Sequence, residues 1–295
     1  MLSFLGLPLT LYGIWVIYPT LKTIYLSFTH WNGLTPHPKW IGVHNYVLLS
    51  QDSAFWHSLL HNFAWLLVFL AIPTTIGFLL ALALNTDLRL KGVLRAVFFF
   101  PMALAFVIIA VIWSWIYDPQ EGLVNGVFAG IGHILAALGI SANLKSIGNT
   151  AWLGTPSLVM WATMVPAVWR ESGYLMLMFL AGLQSLDPEV LAAASVDGAS
   201  GWKMIRHITL PLMSPIITVV VVIAVIDSLR MFDVINIMTK GGPGHSSDVL
   251  ANYMYFESFN ANQLGYGSAI AVILFLLSVI FIGFYLQNVV DEEMQ

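Results

Sequence analysis

Cysteine is absent from the 295 residues, and charged side chains are scarce. Without cysteine the chain can form no disulfide framework, no thiolate metal site and no cysteine nucleophile. Asp, Glu, Lys and Arg make up only 9% of the residues, whereas soluble domains average about 25%. A water-soluble fold would therefore lack the polar surface that it needs. The formal net charge of −4 is small and gives no indication of nucleic-acid binding.

Motifs for nucleotide, metal and nucleophilic chemistry are also missing. The chain has no G-x-x-x-x-G-K-[ST] sequence, and the glycine run at 241–244 contains Pro243 and lacks the Lys-Ser/Thr pair, so it predicts a tight turn. His57 and His61 are four residues apart, but no Glu or Cys accompanies them, and we predict no metal site. We expect no catalytic residue and no cofactor in this chain.

Long apolar segments are what the sequence has in abundance. Hydrophobic residues make up 59% of the chain, and about 20 consecutive apolar residues suffice to cross a bilayer. The segments of spanning length are residues 2–28, 62–84, 94–117, 156–183, 212–238 and 266–290. They predict an all-α integral membrane protein with six transmembrane helices in one domain, residues 1–295. The first segment lacks a basic n-region and a cleavage site, so we interpret it as a span.

Proline and basic residues add predictions about shape and orientation. Pro73, Pro101 and Pro166 lie inside spans and predict kinks. Basic residues favour cytoplasmic loops. Five of them lie in or beside residues 85–93 and 184–211, and three lie on the opposite side: Arg89, Lys91, Arg95, Lys203 and Arg206 against Lys39, Lys145 and Lys240. Both termini and residues 184–211 are therefore predicted to be cytoplasmic.

A polar break at residues 184–211 separates the fourth and fifth spans. Pro188 suits the first turn of a helix, alanines 192–194 propagate it and allow close approach, and Gly198 can adopt a positive φ. Pro211 is expected to start the next helix. This helix and turn predict a docking surface, and an ordinary interhelical loop is the alternative.

The spacing within this break resembles the EAA loop by which permease subunits of ABC importers contact their ATPase. The matching residues are Ala193-Ala194, Asp197-Gly198-Ala199 and Ile208-x-Leu210-Pro211. The resemblance implies an ATPase-docking set of Glu189, Ala192, Ala193, Ala194, Asp197, Gly198 and Ala199. The family usually has a glutamate where this chain has Ala192. Either the ion pair of that glutamate is absent here, or Glu189, one turn earlier, replaces it.

Further elements resemble the carbohydrate branch of binding-protein-dependent permeases, the relatives of the maltose and glycerol-phosphate systems. They are Tyr18-Pro19, Trp40-Ile41-Gly42, Ala181-Gly182-Leu183-Gln184-Ser185, Thr239-x-Gly241-Gly242-Pro243 and Leu264-Gly265-Tyr266-Gly267. The resemblance implies the type I ABC importer permease fold, a prokaryotic cell membrane and import of a di- or oligosaccharide. It also implies a second permease subunit, identical or different, two cytoplasmic ATPase subunits that carry ATP and Mg, and an extracytoplasmic sugar-binding protein.

Polar residues inside the fourth and fifth spans are the candidate substrate site, because charges within a span are costly and usually functional. Asp227, Arg230 and Asp233 are spaced i, i+3, i+6, so the arginine could neutralise either carboxylate. The resemblance favours a sugar site on these two helices, and the alternative is that the charges only hold subunits together. The candidates are Arg170, Glu171, Tyr174, Asp227, Ser228, Arg230, Met231 and Asp233.

Two other classes of protein are the alternatives to a permease subunit. An ion-coupled secondary transporter would show inverted repeats and discontinuous helices, and neither is visible in the sequence. A membrane enzyme would need a catalytic cluster at one interface, and none is evident in the sequence.

Overall fold

The computed structural model describes residues 2–86, 89–137 and 149–293, and most of these residues are helical. The strands in this part form one short hairpin, in which β1 (Thr29–His30) pairs antiparallel with β2 (Lys39–Trp40). Lys145, one of the basic residues used to predict orientation, lies outside the described residues.

The first predicted span is a helix with a π-helical turn in its middle. Helix α1 (Leu2–Tyr12) continues through the π turn Gly13–Ile17 into α2 (Tyr18–Ser27). After the hairpin, α3 (His44–Gln51) begins beside the end of α2. The Asn45 side chain donates hydrogen bonds to the carbonyls of Ser27 and Thr29 at 2.8 and 2.9 Å, which fixes α3 to the end of the first span.

Two long helices form the centre of the fold. Helix α4 (Ser53–Leu84) packs along α8 (Val159–Gln184) over most of its length. The hydroxyl of Thr74 donates to the Phe69 carbonyl at 3.1 Å. This carbonyl has lost its usual helical donor because Pro73 has no N–H. The helix is therefore continuous through Pro73, and α8 is likewise continuous through Pro166.

The third predicted span is broken, contrary to the sequence prediction of one kinked helix. Helices α5 (Lys91–Ala103) and α6 (Phe106–Ile116) meet at 99°. Pro101 lies in the last turn of α5, and Ala105 is extended, so the chain changes direction between the two helices. Helix α5 packs tightly on α8, because a Cβ at Gly173 would overlap the Phe98 carbonyl oxygen. Helix α7 (Leu123–Ala137) follows α6.

The polar break and the fifth span differ from the prediction in two details. Helix α8 turns by 75° into α9 (Pro188–Val196). Pro211 lies in a single short turn and does not start the long helix, since α10 (Trp202–Met204), the π turn Ile205–Thr209 and α11 (Leu210–Leu212) precede α12 (Ser214–Leu229). The fifth span is interrupted at residues 230–232, and α13 (Asp233–Met238) completes it.

The last part of the chain is a short helix and a π turn followed by a long helix. Helix α14 (Leu250–Tyr255) leads through the π turn Phe256–Asn260 to α15 (Leu264–Glu293). Within the described residues, three helices are long and apolar enough to cross a membrane, and up to five spans result if each bent pair counts as one. The chain is thus an all-α membrane protein, and the number of six spans stays a prediction.

Candidate functional site

A polar cavity of about 430 Å³ opens between α6, α8 and the interrupted fifth span. Its walls combine charged, aromatic and apolar side chains, namely Met102, Phe106, Arg170, Tyr174, Ile223, Asp227, Arg230, Met231, Phe232 and Asp233. The break at residues 230–232 explains part of this composition. It brings Phe232 to the same cavity as Arg230 and Asp233, whereas an unbroken helix would place Phe232 on a different face.

Arg170 is the side chain that joins the cavity walls. Its Nη1 donates to the Glu171 carboxylate at 2.6 Å, and its guanidinium carbon lies 4.0 Å from the centre of the Phe106 ring. The Nε is 3.5 Å from the Leu104 carbonyl, which belongs to the break between α5 and α6. One arginine therefore holds a buried carboxylate, an aromatic ring and a broken helix end together.

Six of the eight sequence-predicted substrate residues line the cavity: Arg170, Tyr174, Asp227, Arg230, Met231 and Asp233. The other two face elsewhere. Glu171 is only 3% exposed and pairs with Arg170, and Ser228 is fully buried with its hydroxyl bonded to the Val225 carbonyl in its own helix.

Among the described residues, Arg230 forms no direct salt bridge with Asp227 or Asp233, although its charge is close enough to favour the Asp227 carboxylate. Arg230 follows the end of α12, and Asp233 begins α13, so the regular i, i+3, i+6 spacing is lost. Among the residues that the structure describes, the ion pair at this cavity is the one between Arg170 and Glu171. The charged groups of the fifth span are left exposed to whatever occupies the cavity.

Four cavity residues were not predicted from the sequence: Met102, Phe106, Ile223 and Phe232. They are apolar residues in apolar spans, and nothing in their spacing separates them from lipid-facing neighbours. A larger groove of about 540 Å³ lies against α4 and α8, lined by residues such as Ile72, Trp161 and Val165. Its lining is almost entirely apolar, so it offers a polar substrate very few partners.

The predicted docking loop has the helix and the glycine turn that its sequence indicates, and both ends of the helix are capped. Asp187 caps α9 by accepting a hydrogen bond from the Glu189 N–H at 2.8 Å. At the other end, the Gly198 N–H bonds to the Ser195 carbonyl, and the Ala199 N–H bonds to the Ala194 carbonyl. These two bonds are those of a Schellman motif, and Gly198 has the positive φ of +88° that the motif requires.

Most of the predicted docking residues are accessible. Glu189, Ala192, Ala193, Asp197 and Gly198 are exposed, Ala199 is half-buried, and Ala194 is buried. Ala194 is the buried residue of α9, and the exposed surface of this helix carries Glu189, Val190, Ala192, Ala193, Ser195 and Val196. Most of the predicted docking surface is therefore open to solvent.

A hydrogen-bonded cluster lies at the opposite end of α4 from this loop. The hydroxyls of Tyr253 and Tyr266 donate to Asp52 at 2.5 and 2.6 Å, and the Ala54 N–H donates at 2.9 Å. Burial favours the neutral acid, but these bonds and that of the Phe55 N–H outweigh it and lower the pKa of Asp52. The sequence identified Asp52 neither as a cap nor as the centre of this cluster.

These features define a membrane-embedded protein in which one helix, α8, joins a polar cavity to the exposed loop that the sequence predicts as a docking surface. Residues 73–295 match the model of the family described as "Binding-protein-dependent transport system inner membrane component". The chain belongs to this family. It is accordingly a membrane subunit of a transport system and not an enzyme, and the alternative of an ion-coupled secondary transporter is not supported.

Individual relatives agree with this assignment. The chain is 37% identical to a "Probable ABC transporter permease protein" of Pyrococcus horikoshii, over 96% of this chain and 93% of the relative. It is 33% identical to the trehalose/maltose transport system permease protein MalF of Thermococcus litoralis, over 95% and 90%. The fold matches a chain of a bacterial ABC transporter involved in the import of the acidic polysaccharide alginate, with a TM-score of 0.80, 22% identity and coverage of 97% and 93%.

Proposed function

We propose that the chain is the permease subunit of an ATP-driven importer that carries a di- or oligosaccharide through the α6–α8–α12 cavity. The observation that supports this most directly is the path of α8. Arg170 and Tyr174 line the cavity, and the same helix ends at Gln184, directly before the docking loop. At 1.5 Å per residue, Tyr174 and Gln184 are about 15 Å apart along the helix.

The cavity suits a sugar better than an ion or an apolar molecule. Arginine, aspartate and tyrosine supply several donors and acceptors, and the rings of Phe106 and Phe232 supply apolar faces. Relatives named for trehalose/maltose and for multiple sugar-binding transport support the same class of substrate.

The partners follow from the same family. A second permease subunit would complete the cavity. Two ATPase subunits, which carry ATP and Mg, would dock on the Ala193–Ala199 loop of this chain and on the corresponding loop of the second permease. A sugar-binding protein would deliver substrate on the opposite side. Closure of the ATPases would draw the loops together and shift the cavity between two states, each favoured by binding at one face.

Purification of the chain with its partners tests this function. We expect an ATPase to co-purify, and we expect its activity in proteoliposomes to rise when a sugar-loaded binding protein is added. A panel of neutral di- and oligosaccharides would then identify the substrate. Sugar uptake without any ATPase, driven by a proton or sodium gradient, would contradict the proposal.

The proposed orientation places both termini and residues 184–211 in the cytoplasm. Because the chain has no cysteine, single cysteines report topology without a background signal. Ser200 and Asn260 are both exposed and lie at opposite ends of the fifth span. In intact cells an impermeant thiol reagent should label Asn260→Cys and leave Ser200→Cys unlabelled. The reverse pattern would invert the orientation.

A further inference from the structure

Three aromatic rings form a row that begins at the cavity and ends on the surface. The centroids of Phe232 and Tyr255 are 5.2 Å apart, and those of Tyr255 and Phe259 are 5.3 Å apart. Phe232 lines the cavity, whereas Tyr255 is 39% and Phe259 61% exposed. We propose that this aromatic row is a carbohydrate-binding subsite through which the sugar enters the cavity, an inference that rests on the proposed function.

The row stands on a segment that hydrogen bonds hold in place. The Leu250 N–H donates to the Asn62 side chain at 2.8 Å, and the Asp248 carbonyl lies 2.7 Å from Nδ1 of His61. Tyr253 is buried and bonded to Asp52. Tyr255, two residues later, lies on a different side of the helix and is exposed. The segment from which the exposed rings project is therefore anchored before any ligand arrives.

The chemistry of the row fits a sugar. An aromatic ring has an electron-rich face, which attracts the polarised C–H groups on one side of a pyranose ring. The Tyr255 hydroxyl can in addition donate or accept a hydrogen bond. Adjacent rings are close enough for a sugar to contact the next ring before it leaves the previous one, so its apolar side stays covered along the path.

The polar end of the row argues against a lipid as its occupant. Aromatic rings at a bilayer interface are common, but such rings face acyl chains and headgroups on the outside of the protein. The inner end of this row is instead Phe232 in the cavity wall, whose sequence neighbour Asp233 also lines the cavity, together with Arg230. An acyl chain that followed the rings would meet charged groups, which is unfavourable.

Substitutions that remove the ring face but keep apolar volume test the subsite. In the complete importer in proteoliposomes, we expect Tyr255→Leu and Phe259→Leu each to lower sugar import by about threefold to tenfold, the range expected when one aromatic contact is lost. Complex yield and the stimulation of ATP hydrolysis by the loaded binding protein should stay within about twofold of those of the unmodified complex. Tyr255→Phe and Phe259→Tyr, which retain a ring, should import nearly as well as the unmodified chain.

Phe256 provides the matched control. It is 40% exposed, as Tyr255 is, but its ring lies 6.2 Å from that of His245 and is not part of the row. Phe256→Leu should leave import unchanged. An equal loss in Phe256→Leu would mean that the segment merely needs intact packing, and this would overturn the subsite.

The remaining outcomes separate the subsite from the proposed function. Normal import by Tyr255→Leu and Phe259→Leu would reject the subsite and leave the importer assignment intact. A weaker response to the binding protein, with unchanged sugar import per ATP, would show a protein-docking surface and also reject the subsite. If the unmodified complex imports no sugar at all, the proposed function itself fails.

Discussion

The guanidinium of Arg170 lies over the ring of Phe106, 4.0 Å from its centre, and thereby connects α8 to the start of α6 across the cavity. The same side chain pairs with Glu171. A cation held between a buried carboxylate and an aromatic face has most of its interactions satisfied inside the protein. Arg170 thus has a structural role in addition to any contact with substrate, and the two roles can be separated.

Substitution of Arg170 is the first test. Arg170→Met leaves Glu171 buried without its partner, which should cost about 3–5 kcal/mol and reduce the yield of assembled complex. The double variant Arg170→Met/Glu171→Gln removes the unpaired charge and should recover yield. If Arg170 binds sugar, the double variant stays deficient in uptake, whereas full recovery of uptake would leave Arg170 with a structural role alone.

Tyr174 and Asp227 line the cavity, and Ser228 beside them does not. Tyr174→Phe and Asp227→Asn should each lower uptake by about twofold to tenfold, the equivalent of one hydrogen bond to sugar, with unchanged complex yield. Ser228→Ala removes only a bond within its own helix and should have little effect on uptake. Uptake at the level of the unmodified chain in all three variants would show that the cavity is not on the transport path.

Gly198 tests the docking loop. The position has φ +88° and open space around it, so Gly198→Ala is limited by backbone strain of about 1–2 kcal/mol and not by a clash. Gly198→Trp adds bulk at the exposed turn and should release or uncouple the ATPase while the spans stay inserted. Gly198→Asn is the control, because asparagine tolerates a positive φ better. Normal substrate-stimulated ATP hydrolysis and uptake in Gly198→Trp would contradict the docking role.

The stability of the protein should depend on pH through Asp52, which lies at the end of α4 away from the docking loop. Its folded pKa lies below its ordinary value, so its stabilising contribution is present above the unfolded pKa and is lost as the pH falls through the folded pKa. The difference in melting temperature between the unmodified chain and Asp52→Asn should therefore be largest near neutral pH and shrink on acidification. A difference that is constant with pH would mean that the charge of Asp52 does not matter.

Glu257 should behave in the opposite sense. Burial, together with the nearby charge of Asp52, raises its pKa. A group whose pKa is raised in the folded state stabilises the protein at a pH below its unfolded pKa, and this contribution is lost as the pH rises through the folded pKa. As the pH is raised from acidic to neutral, the melting temperature of Glu257→Gln should thus rise relative to that of the unmodified chain. Parallel pH curves for the two proteins would contradict this prediction.

The sequence by itself determined the class of the protein and the form of the docking loop. Apolar length and scarce charge require helices in a membrane, because a bilayer offers no other partner for backbone groups. Pro188, the alanines and Gly198 encode a local helix and turn, and the structure has them where predicted. Local signals of this kind need no information about distant residues.

Only the tertiary structure decided which polar residues share a cavity. Whether a side chain lines a cavity depends on helix breaks and on neighbours far along the chain, such as Phe106 for Arg170 and Leu104 at the bend of the third span. The interruption at residues 230–232 moved Arg230 and Asp233 out of their predicted spacing and added Phe232. The cluster around Asp52 joins residues about two hundred positions apart, and no periodicity in the sequence encodes such a pairing.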